Sequence, residues 1–319
     1  MNEGAENILI RDFRKSDLDN LLDIASESFT EEIEISGFDP DHIKKMVDKM
    51  FGVLGKVFLG FLKLMRKEPF KFFVAEVDGR VVGTTMVNNR GMIGYISTVM
   101  VHPNYRRKGI ATKLMKRALD HIQKKKTSKA VLHVVSTNTP AKNLYTKLGF
   151  TKFENVVYMI GNIDSLLKSE KVEVQVRDLK KNDIDAVYDL IRRSENPEHL
   201  KVFGFKKKDL KTPLINRIFH FSTDKKIVAT KNKKIVGYIQ SMYTTKKEAG
   251  RIRHIHVLPE MISMGIEETL ISAGADHIQK AGTNKVLATV SSTKQKLVEK
   301  MKHFGFKKRL EMEAMVLKL

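Results

Sequence analysis

The chain has 319 residues, 58 Lys and Arg residues against 37 Asp and Glu residues, a formal net charge of +21 at pH 7 and no cysteine. This length suits about two domains, and the lack of cysteine excludes disulfides, thiolate metal sites and a thioester formed on the protein. The sequence has no apolar run long enough to cross a bilayer and no secretory signal at its acidic start, so it predicts a cytoplasmic protein without a membrane span.

The first predicted elements are a strand, a polar turn and an amphipathic helix, and they occur twice. IRDFRKSDLDNLLDI at 10–24 lines up with VRDLKKNDIDAVYDL at 176–190. VAEVDGRVVG at 74–83, which predicts two strands joined by a tight turn, lines up with VATKNKKIVG at 228–237. Further on, matching residues stay 156 positions apart over nearly fifty residues, which indicates a duplicated domain. The matching pairs include Pro103 and Pro259, Gly109 and Gly265, and Gly149 and Gly305.

Each half therefore predicts the same order of elements: strand, helix, helix, three strands, helix, strand, helix and strand hairpin. This order predicts an α/β protein of the α+β kind, in which each of two tandem domains has a mixed, mostly antiparallel sheet flanked by helices. The boundary is expected near GNIDSLLKSEK at 161–171. We therefore predict one domain over residues 1–165 and a second over residues 171–319.

A predicted central strand and the turn after it carry the first functional signal. IGYISTVMVHP at 93–103 is rich in β-branched residues, and the strand must end at Pro103, which cannot continue its ladder. A helix with one apolar face follows, and Gly109 and Ala111 let a ligand approach the amides of its first turn. The positive end of the helix dipole and three basic residues favour an anion there. A basic turn before a helix is also a common helix start, so the turn alone leaves both interpretations open. The predicted anion site consists of Arg106, Arg107, Lys108, Gly109, Ile110, Ala111 and Thr112.

A second motif, STNTPAKNLYTKLGF at 136–150, follows the predicted strand VLHVVS. Pro140 suits the first turn of a helix, which Leu144 and Phe150 anchor through their apolar side chains. This motif therefore places Asn138 at the start of a helix and Tyr145 within it.

The two motifs together resemble those of the GNAT superfamily of N-acetyltransferases. Motif A of that family reads Arg or Gln, two residues, Gly, one residue, and Gly or Ala, which corresponds here to Arg106, Gly109 and Ala111. The order of elements over residues 6–160 is also similar. The resemblance implies acetyl-CoA as donor and an amine as acceptor, which leaves a protein N-terminus, a lysine and a small amine open.

The resemblance also implies roles for particular residues. Asn138 would contact the coenzyme and Tyr145 would lie near its sulfur. The pantetheine arm would pair like an extra strand with main-chain groups of the predicted central strand, and amides of residues 107–112 would hold the diphosphate. The main-chain groups are those of Val99, Met100 and Val101.

The predicted chemistry is direct attack of the amine on the thioester in a ternary complex, since no cysteine can carry the acyl group. Tyr145 is the predicted proton donor for the departing thiolate, with a tyrosine that only packs in the core as the alternative. His133 is the predicted base, because imidazole titrates near neutrality. A structural histidine and a water relay through backbone carbonyls remain alternatives. Relatives often have a glutamate on this strand, so the acceptor's identity is not carried over.

Three further interpretations concern the surroundings of this site. Ser97 and Thr98 are candidates to line an acceptor channel, and His102 is predicted to lie at the surface. The apolar stretch 39–70 either shapes an acceptor pocket or packs on the sheet or the other domain, and its lysines argue against a membrane span but leave surface association open. Its large apolar residues include Phe51, Leu54, Phe58, Phe61, Leu62 and Met65.

The second copy has lost the residues of both motifs. Glu267 stands where the second small residue is needed, and a carboxylate there repels a diphosphate. We therefore predict that residues 171–319 do not bind acetyl-CoA productively and instead cover the first sheet, complete the acceptor cleft or form a docking surface. His254 and His256 are predicted to be structural rather than metal ligands, because no third ligand accompanies them. The other replacements are Ile262 for Arg106, Lys294 for Asn138 and Met301 for Tyr145.

Charge supports a competing function. Residues 171–319 hold 31 Lys and Arg residues against 17 Asp and Glu residues, an excess that favours contact with RNA or an acidic protein, or that only keeps the surface soluble. The rival to an enzyme is therefore a non-catalytic module that senses acyl-CoA or binds RNA. The intact motif residues up to Tyr145 favour the enzyme, since a pure binder has no need of a proton donor.

Overall fold

The computed structural model describes residues 7–28, 44, 70–90, 93–166, 172–211, 222–244, 249–262 and 264–319. The chain divides into two compact units. Unit 1 consists of Met1–Val134, Asn138–Lys152 and Met315–Leu319, and unit 2 consists of Val135–Thr137 and Phe153–Ala314.

Unit 1 contains a mixed sheet in the order β1-β2-β3-β4-β5. Its neighbours are antiparallel except for β4 and β5, which are parallel. The elements are β1 (Ile8–Asp12), α1 (Leu18–Ser28), β2 (Phe70–Val77), β3 (Arg80–Arg90), β4 (Ile93–Val101), α2 (Ile110–Lys124), β5 (Lys129–Val135) and α3 (Thr139–Lys147).

Unit 2 contains a second mixed sheet in the order β6-β11-β10-β9-β8-β7, in which only β10 and β11 are parallel. The predicted mixed, mostly antiparallel sheets flanked by helices are therefore confirmed. The elements are β6 (Thr151–Asn162), α4 (Ile163–Leu166), β7 (Gln175–Asp178), α5 (Ile184–Ser194), α6 (Pro197–Phe203), β8 (Ser222–Lys231), β9 (Lys234–Thr244), β10 (Gly250–Val257), α7 (Ile266–Gln279), β11 (Lys285–Ser291), α8 (Gln295–His303) and β12 (Lys307–Lys318).

The ends of the two halves differ from the predicted linear order. The strand hairpin predicted at the end of each half is wrong, because β6 and β12 are each one strand of 12 residues. Neither strand contains a residue with positive φ, which the two-residue hairpin turns require. Strand β6 pairs with β11 in unit 2, whereas the last five residues of the chain belong to unit 1.

The C-terminal residues complete unit 1 through ordinary core contacts. Met315 is 3% exposed and packs in the same apolar cluster as Leu132 and Phe150. The amide of Leu319 donates a hydrogen bond to the carbonyl oxygen of Ser128 at 3.0 Å. Burial of such side chains contributes roughly 1.5–3 kcal/mol each, so removal of this segment is a loss of core as well as of backbone pairing.

Helix α2 covers the sheet of unit 1 with the predicted apolar face. The helix lies against β2, β3 and β4, and its buried residues follow a helical spacing of three and four. They are Ile110, Leu114, Met115, Ala118 and Ile122.

A bulge interrupts the central strand of each unit. Thr98 in β4 has φ 56°, and the pairing of β4 with β3 shifts there. His254 in β10, 156 positions later, has φ 53° at a matching shift. Positive φ is uncommon for residues other than glycine, and it often marks functional sites. The parallel pairing of β4 with β5 runs only from Ile93 to Tyr95, so the two strands part before the bulge.

An ion pair ties the first strand of each unit to the following helix. The guanidinium of Arg11 donates to both carboxylate oxygens of Asp17, at 2.7 and 2.9 Å, and Arg177 and Asp183 repeat this arrangement. Asp17 also accepts the amide of Arg14 at 2.7 Å and is 4% exposed. Burial raises the pKa of Asp17, but the hydrogen bonds from Arg11 and Arg14 outweigh burial and hold the pKa below its ordinary value.

We expect Asp17→Asn to lower the free energy of unfolding by about 2–3 kcal/mol, because it removes charge-assisted hydrogen bonds from a buried position. The folded-state pKa is depressed, so this stabilisation is present above about pH 4 and is lost as the pH falls through the folded pKa. Chemical denaturation at pH 7 and pH 3 measures both effects. Asp19→Asn is the control, since Asp19 pairs with Lys44 at the surface and its loss should cost less than about 1 kcal/mol. Equal losses from the two variants would contradict the assigned role.

Candidate active site

The turn after β4 leads into α2, and the first amides of a helix have no partner within the helix itself. Helix α2 begins at Ile110, directly after Gly109, whose φ is 79°. Arg107 also has positive φ, at 67°, so the backbone curls into a concave turn of the kind that binds anions. Beyond its chain neighbours, a Cβ atom built on Gly109 would meet no atom of the described residues within 4 Å. The turn therefore has free space where a diphosphate would approach the first amides of the helix.

The basic residues of the predicted site lie at the same turn. Arg106, Arg107 and Lys108 are exposed, and the Lys108 ammonium lies 5.4 Å from the ring centre of Tyr105. The Nε of Arg106 donates to the carbonyl oxygen of Val101 at 3.1 Å, which holds this side chain beside the end of β4. The residues present thus fit a diphosphate in shape and in charge.

The end of β4 has main-chain groups beyond its pairing with β5. In the described ladder, β4 pairs with β5 no further than Tyr95, so Val99, Met100 and Val101 lie past the point where the strands part. Met100 is buried beside Ile24 of α1, whereas Val99 and Val101 pack with the cluster under α2. The side chains of this segment face the core, and its backbone edge is the part that could pair with a ligand.

Asn138 and Tyr145 occupy helix α3 as the sequence predicts. Asn138 is the N-cap of α3, and its Oδ1 accepts the amide of Ala141 at 3.1 Å. Tyr145 is 7% exposed and contacts the ring of Phe150 with centroids 6.2 Å apart. Burial raises the pKa of Tyr145 to about 12. The phenol is therefore protonated at neutral pH, which suits a proton donor and excludes a resting phenolate.

His133 of β5 has a partner that the sequence reasoning missed. Its Nδ1 lies 2.6 Å from the hydroxyl of Tyr95 in β4, and the two ring centres are 5.6 Å apart. Because Tyr95 pairs with Val131, His133 is two residues further along the neighbouring strand and shares its face. That diagonal relation was the available signal, once β4 and β5 were recognised as parallel neighbours.

His102 corrects one prediction. It was predicted to lie at the surface, but it is 7% exposed. Its Nδ1 accepts the amide of Asn104 at 3.2 Å, and its Nε2 lies 3.1 Å from Glu27 of α1. The amide of His102 also bonds the carbonyl oxygen of Val82, so the turn folds back on the sheet and carries the ring inward.

The predicted channel residues Ser97 and Thr98 lie at the bulge. Thr98 is exposed, and the buried hydroxyl of Ser97 has no hydrogen-bond partner in the part of the chain that the structure describes. Their contact with an acceptor stays a prediction.

The matching turn of unit 2 is filled by the chain itself. Gly265 has φ 72°, but a Cβ built on it would lie 3.0 Å from a methyl group of Val172. The ammonium of Lys300 donates to the carbonyl oxygen of Ile262 at 2.6 Å and to Glu267 at 3.1 Å. Burial raises the pKa of Glu267 even though Lys300 partly offsets it. A diphosphate would have to displace both an apolar side chain and an internal ion pair.

The other motif positions of unit 2 have structural partners. Met301, which matches Tyr145, is 0% exposed in the core. Lys294, which matches Asn138, forms an ion pair with Glu195 at 3.1 Å. No group of three or more His, Asp or Glu side chains is arranged to hold a metal ion among the described residues.

Two further predictions concern the apolar stretch 39–70 and membrane-spanning helices. The apolar stretch 39–70 lies outside the described residues, apart from Lys44 and Phe70. Within the described ranges, no helix is both long enough and apolar enough to cross a membrane.

Comparison with protein families gives two matches along the chain. Residues 19–150 match the Acetyltransferase (GNAT) family, and residues 191–314 match an Acetyltransferase (GNAT) domain.

Three curated relatives are similar to parts of the chain. An uncharacterized N-acetyltransferase of Methanocaldococcus jannaschii is 29% identical over 154 residues, which cover 46% of this chain and 62% of that protein. An N-alpha-acetyltransferase of Sulfurisphaera tokodaii is 35% identical over 103 residues, which cover 28% of this chain and 62% of the relative. The catalytic subunit of the N-terminal acetyltransferase B complex of Arabidopsis thaliana is 36% identical over 114 residues, 33% of this chain and 65% of the relative. The chain thus spans 62 to 65% of the length of these relatives.

Solved structures share the fold over nearly the whole chain. A tandem GNAT protein from the clavulanic acid biosynthesis pathway has a TM-score of 0.64 at 12% identity and covers 98% of each chain. A GCN5-related N-acetyltransferase from Sphaerobacter thermophilus has a TM-score of 0.63 at 16% identity and covers 98% of this chain and 95% of its own. At these identities the likeness concerns the fold alone. The two family matches and the shared tandem fold show that the chain belongs to the GNAT family of acetyltransferases and carries two GNAT domains.

Proposed function

We propose that unit 1 transfers the acetyl group of acetyl-CoA, the donor of the GNAT family, to a primary amine. The observation that carries this proposal is the open turn at Gly109, which combines free space, the N-terminal amides of a helix and basic side chains. In this proposal residues 1–165 hold the active site, and residues 171–319 form a non-catalytic copy, since the turn at Gly265 is filled.

The turn and the strand before it would bind the donor in an extended form. Amides of residues 107–112 would hold the diphosphate, with Arg106, Arg107 and Lys108 balancing its charge. The pantetheine arm would lie along the backbone edge of residues 99–101, past the point where β4 and β5 part. Fixing the thioester beside an amine in this way can lower the barrier by roughly 7–11 kcal/mol in favourable cases.

The reaction requires one bond exchange and two proton transfers. The amine nitrogen forms a bond to the acetyl carbonyl carbon, the carbon–sulfur bond breaks, and coenzyme A leaves as a thiol. His133 takes the proton that the amine loses, and Tyr145 gives its phenolic proton to the departing sulfur and regains one from solvent. Tyr145 suits the donor role, because its pKa of about 12 keeps it protonated.

Tyr95 would act as a positioning residue for the base. A neutral imidazole has one N–H group, so Nε2 can accept a proton only if Nδ1 carries the hydrogen. Nδ1–H of His133 would then donate to the Tyr95 hydroxyl, 2.6 Å away. This bond fixes the ring and stabilises the imidazolium that forms during turnover.

We expect Tyr95→Phe to lower kcat about 2- to 10-fold, which corresponds to the loss of one ordinary hydrogen bond. We also expect the acidic limb of the pH profile of kcat/KM to move to lower pH, because the protonated imidazole loses its acceptor. A steady-state thiol-release assay over a pH series measures both effects. Tyr243→Phe is a matched control, because Tyr243 contacts His277 with ring centres 4.9 Å apart in unit 2. If kcat falls but the acidic limb of the pH profile does not move, Tyr95 has a packing role only.

An acceptor panel tests the function itself. Two of the relatives are named for acetylation at protein N-termini, so peptides with a free α-amine come first. Matched peptides with a blocked N-terminus and one lysine, and small alkylamines, complete the panel. We expect thiol release with at least one class and a mass increase of one acetyl group on that acceptor. Binding of acetyl-CoA without thiol release for any amine would support the acyl-CoA sensor instead.

A further inference from the structure

Unit 2 has a second group of polar side chains at the bulge of β10, which we call the His256 cluster. Its members come from β6, the end of α5, α6, β10 and the start of α8. They are Glu154, Ser194, Glu195, His199, His254, His256 and Lys294.

Two positions of this cluster have different residues in unit 1. The position of His256 is taken in unit 1 by Met100, which is 5% exposed in apolar packing, and that of Lys294 is taken by Asn138. Burial of imidazole, carboxylate and ammonium groups costs free energy unless each finds partners. Unit 2 therefore has the same backbone bulge as unit 1, but it contains buried polar side chains that a donor site does not require.

Each carboxylate of the cluster has a basic partner. Lys294 and Glu195 are 3.1 Å apart, and Nδ1 of His199 lies 2.7 Å from Oε2 of Glu154. Burial raises the pKa of Glu154, but the hydrogen bond from His199 and the nearby Ser291 and Lys294 hold it below its ordinary value. Glu154 is therefore an anion at neutral pH.

His256 presents an unused acceptor. The hydroxyl of Ser194 lies 2.8 Å from the carbonyl oxygen of Leu190 and 2.9 Å from Nδ1 of His256. Because the hydroxyl has one hydrogen and the carbonyl has none, both bonds form together only when Nδ1 carries a hydrogen and donates it to the hydroxyl. Burial and the charge of Lys294 move the pKa of His256 well below its ordinary value. The ring is neutral, and Nε2 has only a lone pair. The side chain is 0% exposed, and Nε2 has no hydrogen-bond partner among the described residues.

The carboxylate of Glu154 provides a second buried acceptor without a partner among the described residues. The side chain of Glu154 is 1% exposed, and its Oε1 has no partner within hydrogen-bonding geometry in the described part of the chain. Oε2 of Glu195 lies 3.7 Å from Nε2 of His256, and this oxygen is also an acceptor. Two buried acceptors of the cluster, Nε2 of His256 and Oε1 of Glu154, thus have no donor among the described residues, which indicates a missing donor.

We propose that the His256 cluster binds the primary ammonium group of a small molecule. An ammonium group has three donors and no acceptor, which is what these unused acceptors lack. A nitrogen placed between Nε2 of His256 and Oε2 of Glu195 can bond both, because their separation of 3.7 Å allows a distance near 2.9 Å to each. This site is independent of acetyl transfer in unit 1, so it goes beyond the proposed function.

Aromatic rings beside the cluster suit an apolar body on this ligand. The ring of Phe203 lies 4.5 Å from that of His199, and the ring of Phe205 lies 6.2 Å from that of His254. His254 is exposed at the bulge, two residues before His256 on the same strand. An alkyl or aryl amine therefore fits better than a highly polar one, since the rings attract both the apolar body and its positive charge.

The test compares 2-phenylethylamine with its N,N,N-trimethyl analogue, which keeps the ring and the charge but has no N–H donor. Calorimetry without acetyl-CoA is performed on the full chain, on Glu154→Gln and on His256→Met, which restores the residue that unit 1 has at this position. We expect both variants to bind the amine at least about tenfold more weakly, as the loss of one charged hydrogen bond predicts. The trimethyl analogue should not bind the wild-type cluster.

Nitrogen NMR of the histidine rings separates this site from any amine bound in unit 1. The Nε2 signal of His256, assigned by its absence in His256→Met, should shift on addition of 2-phenylethylamine but not of the analogue. An unmoved signal, binding of the amine by either variant as tightly as by the wild type, or equal binding of the two compounds would each overturn the proposal. Thiol release by Glu154→Gln should match the wild type, so a failure here is distinguishable from a failure of the acetyl-transfer proposal.

Discussion

Tyr145→Phe is expected to lower kcat for acetyl transfer by about 10²- to 10⁴-fold, the range that loss of a positioned proton donor gives. The affinity for acetyl-CoA should change little, because the ring stays packed against Phe150 and only the hydroxyl is removed. Thiol release at saturating concentrations of both substrates gives kcat, and calorimetry of acetyl-CoA binding gives the affinity.

The control for this variant is Tyr238→Phe in unit 2. Tyr238 is 1% exposed, and burial raises its pKa as well, so the substitution removes a hydroxyl from an equally buried ring without touching the proposed site. Because burial raises the pKa of Tyr145 to about 12, its hydroxyl carries a proton below that pH. Deprotonation of Tyr145 should therefore not limit kcat of the wild type near neutrality. An unchanged kcat in Tyr145→Phe would return this residue to the alternative of core packing.

Gly109→Ala is expected to weaken acetyl-CoA binding about 10- to 100-fold. The added methyl group occupies the space through which a diphosphate reaches the helix amides, and forcing an extra methyl into a close contact costs roughly 1–3 kcal/mol. Since no described atom beyond its chain neighbours lies within 4 Å of that methyl, the ligand-free fold loses only the cost of a left-handed backbone. Calorimetric titration with acetyl-CoA measures the change.

Gly79→Ala is the matched control for that experiment. Gly79 has φ 78° in the turn between β2 and β3, and a Cβ there also meets nothing within 4 Å. Both variants should lose a similar free energy of unfolding, about 1–2 kcal/mol for the left-handed conformation. Only Gly109→Ala should lose acetyl-CoA affinity. Equal affinities in the two variants would show that the turn at Gly109 is not the binding site.

Local sequence signals were enough to predict much of the architecture. The constant offset of 156 residues revealed the duplication, and Pro103 marked the end of β4, which ends at Val101. The polar turn at 78–79 predicted the β2–β3 hairpin, whose two turn residues have positive φ. The apolar spacing of α2 predicted its buried face. Each of these features depends on neighbours in the chain, which one sequence contains.

Features that depend on distant parts of the chain were missed. Periodicity identifies β6 as a strand but not the sheet it joins, and it does not assign the last five residues to unit 1. The contact between Tyr95 and His133 required the register of two strands 38 residues apart. His102 was misplaced because its turn bonds back to Val82 of β3 and its ring contacts Glu27 of α1. In each case the deciding contact is made by a residue that the local pattern does not include.

Unit 2 also has features that depend on contacts between distant residues and that its sequence did not predict. The replacement of a small residue by Glu267 predicted a poor diphosphate site, but the part played by Val172 and Lys300 came only from the structure. The two lone histidines of β10 gave little signal in sequence, because the acceptors around His256 come from elements as distant as Glu154. Buried polar groups without partners are a property of the folded molecule.

The most direct measurement of the central claim is a crystal structure of the full chain with acetyl-CoA. We predict one molecule per chain, with its diphosphate on the amides that begin α2 at Ile110 and its sulfur near Tyr145, while the turn at Gly265 keeps Val172 in place. A diphosphate bound at Gly265, or a donor bound anywhere that leaves the Gly109 turn untouched, would contradict it.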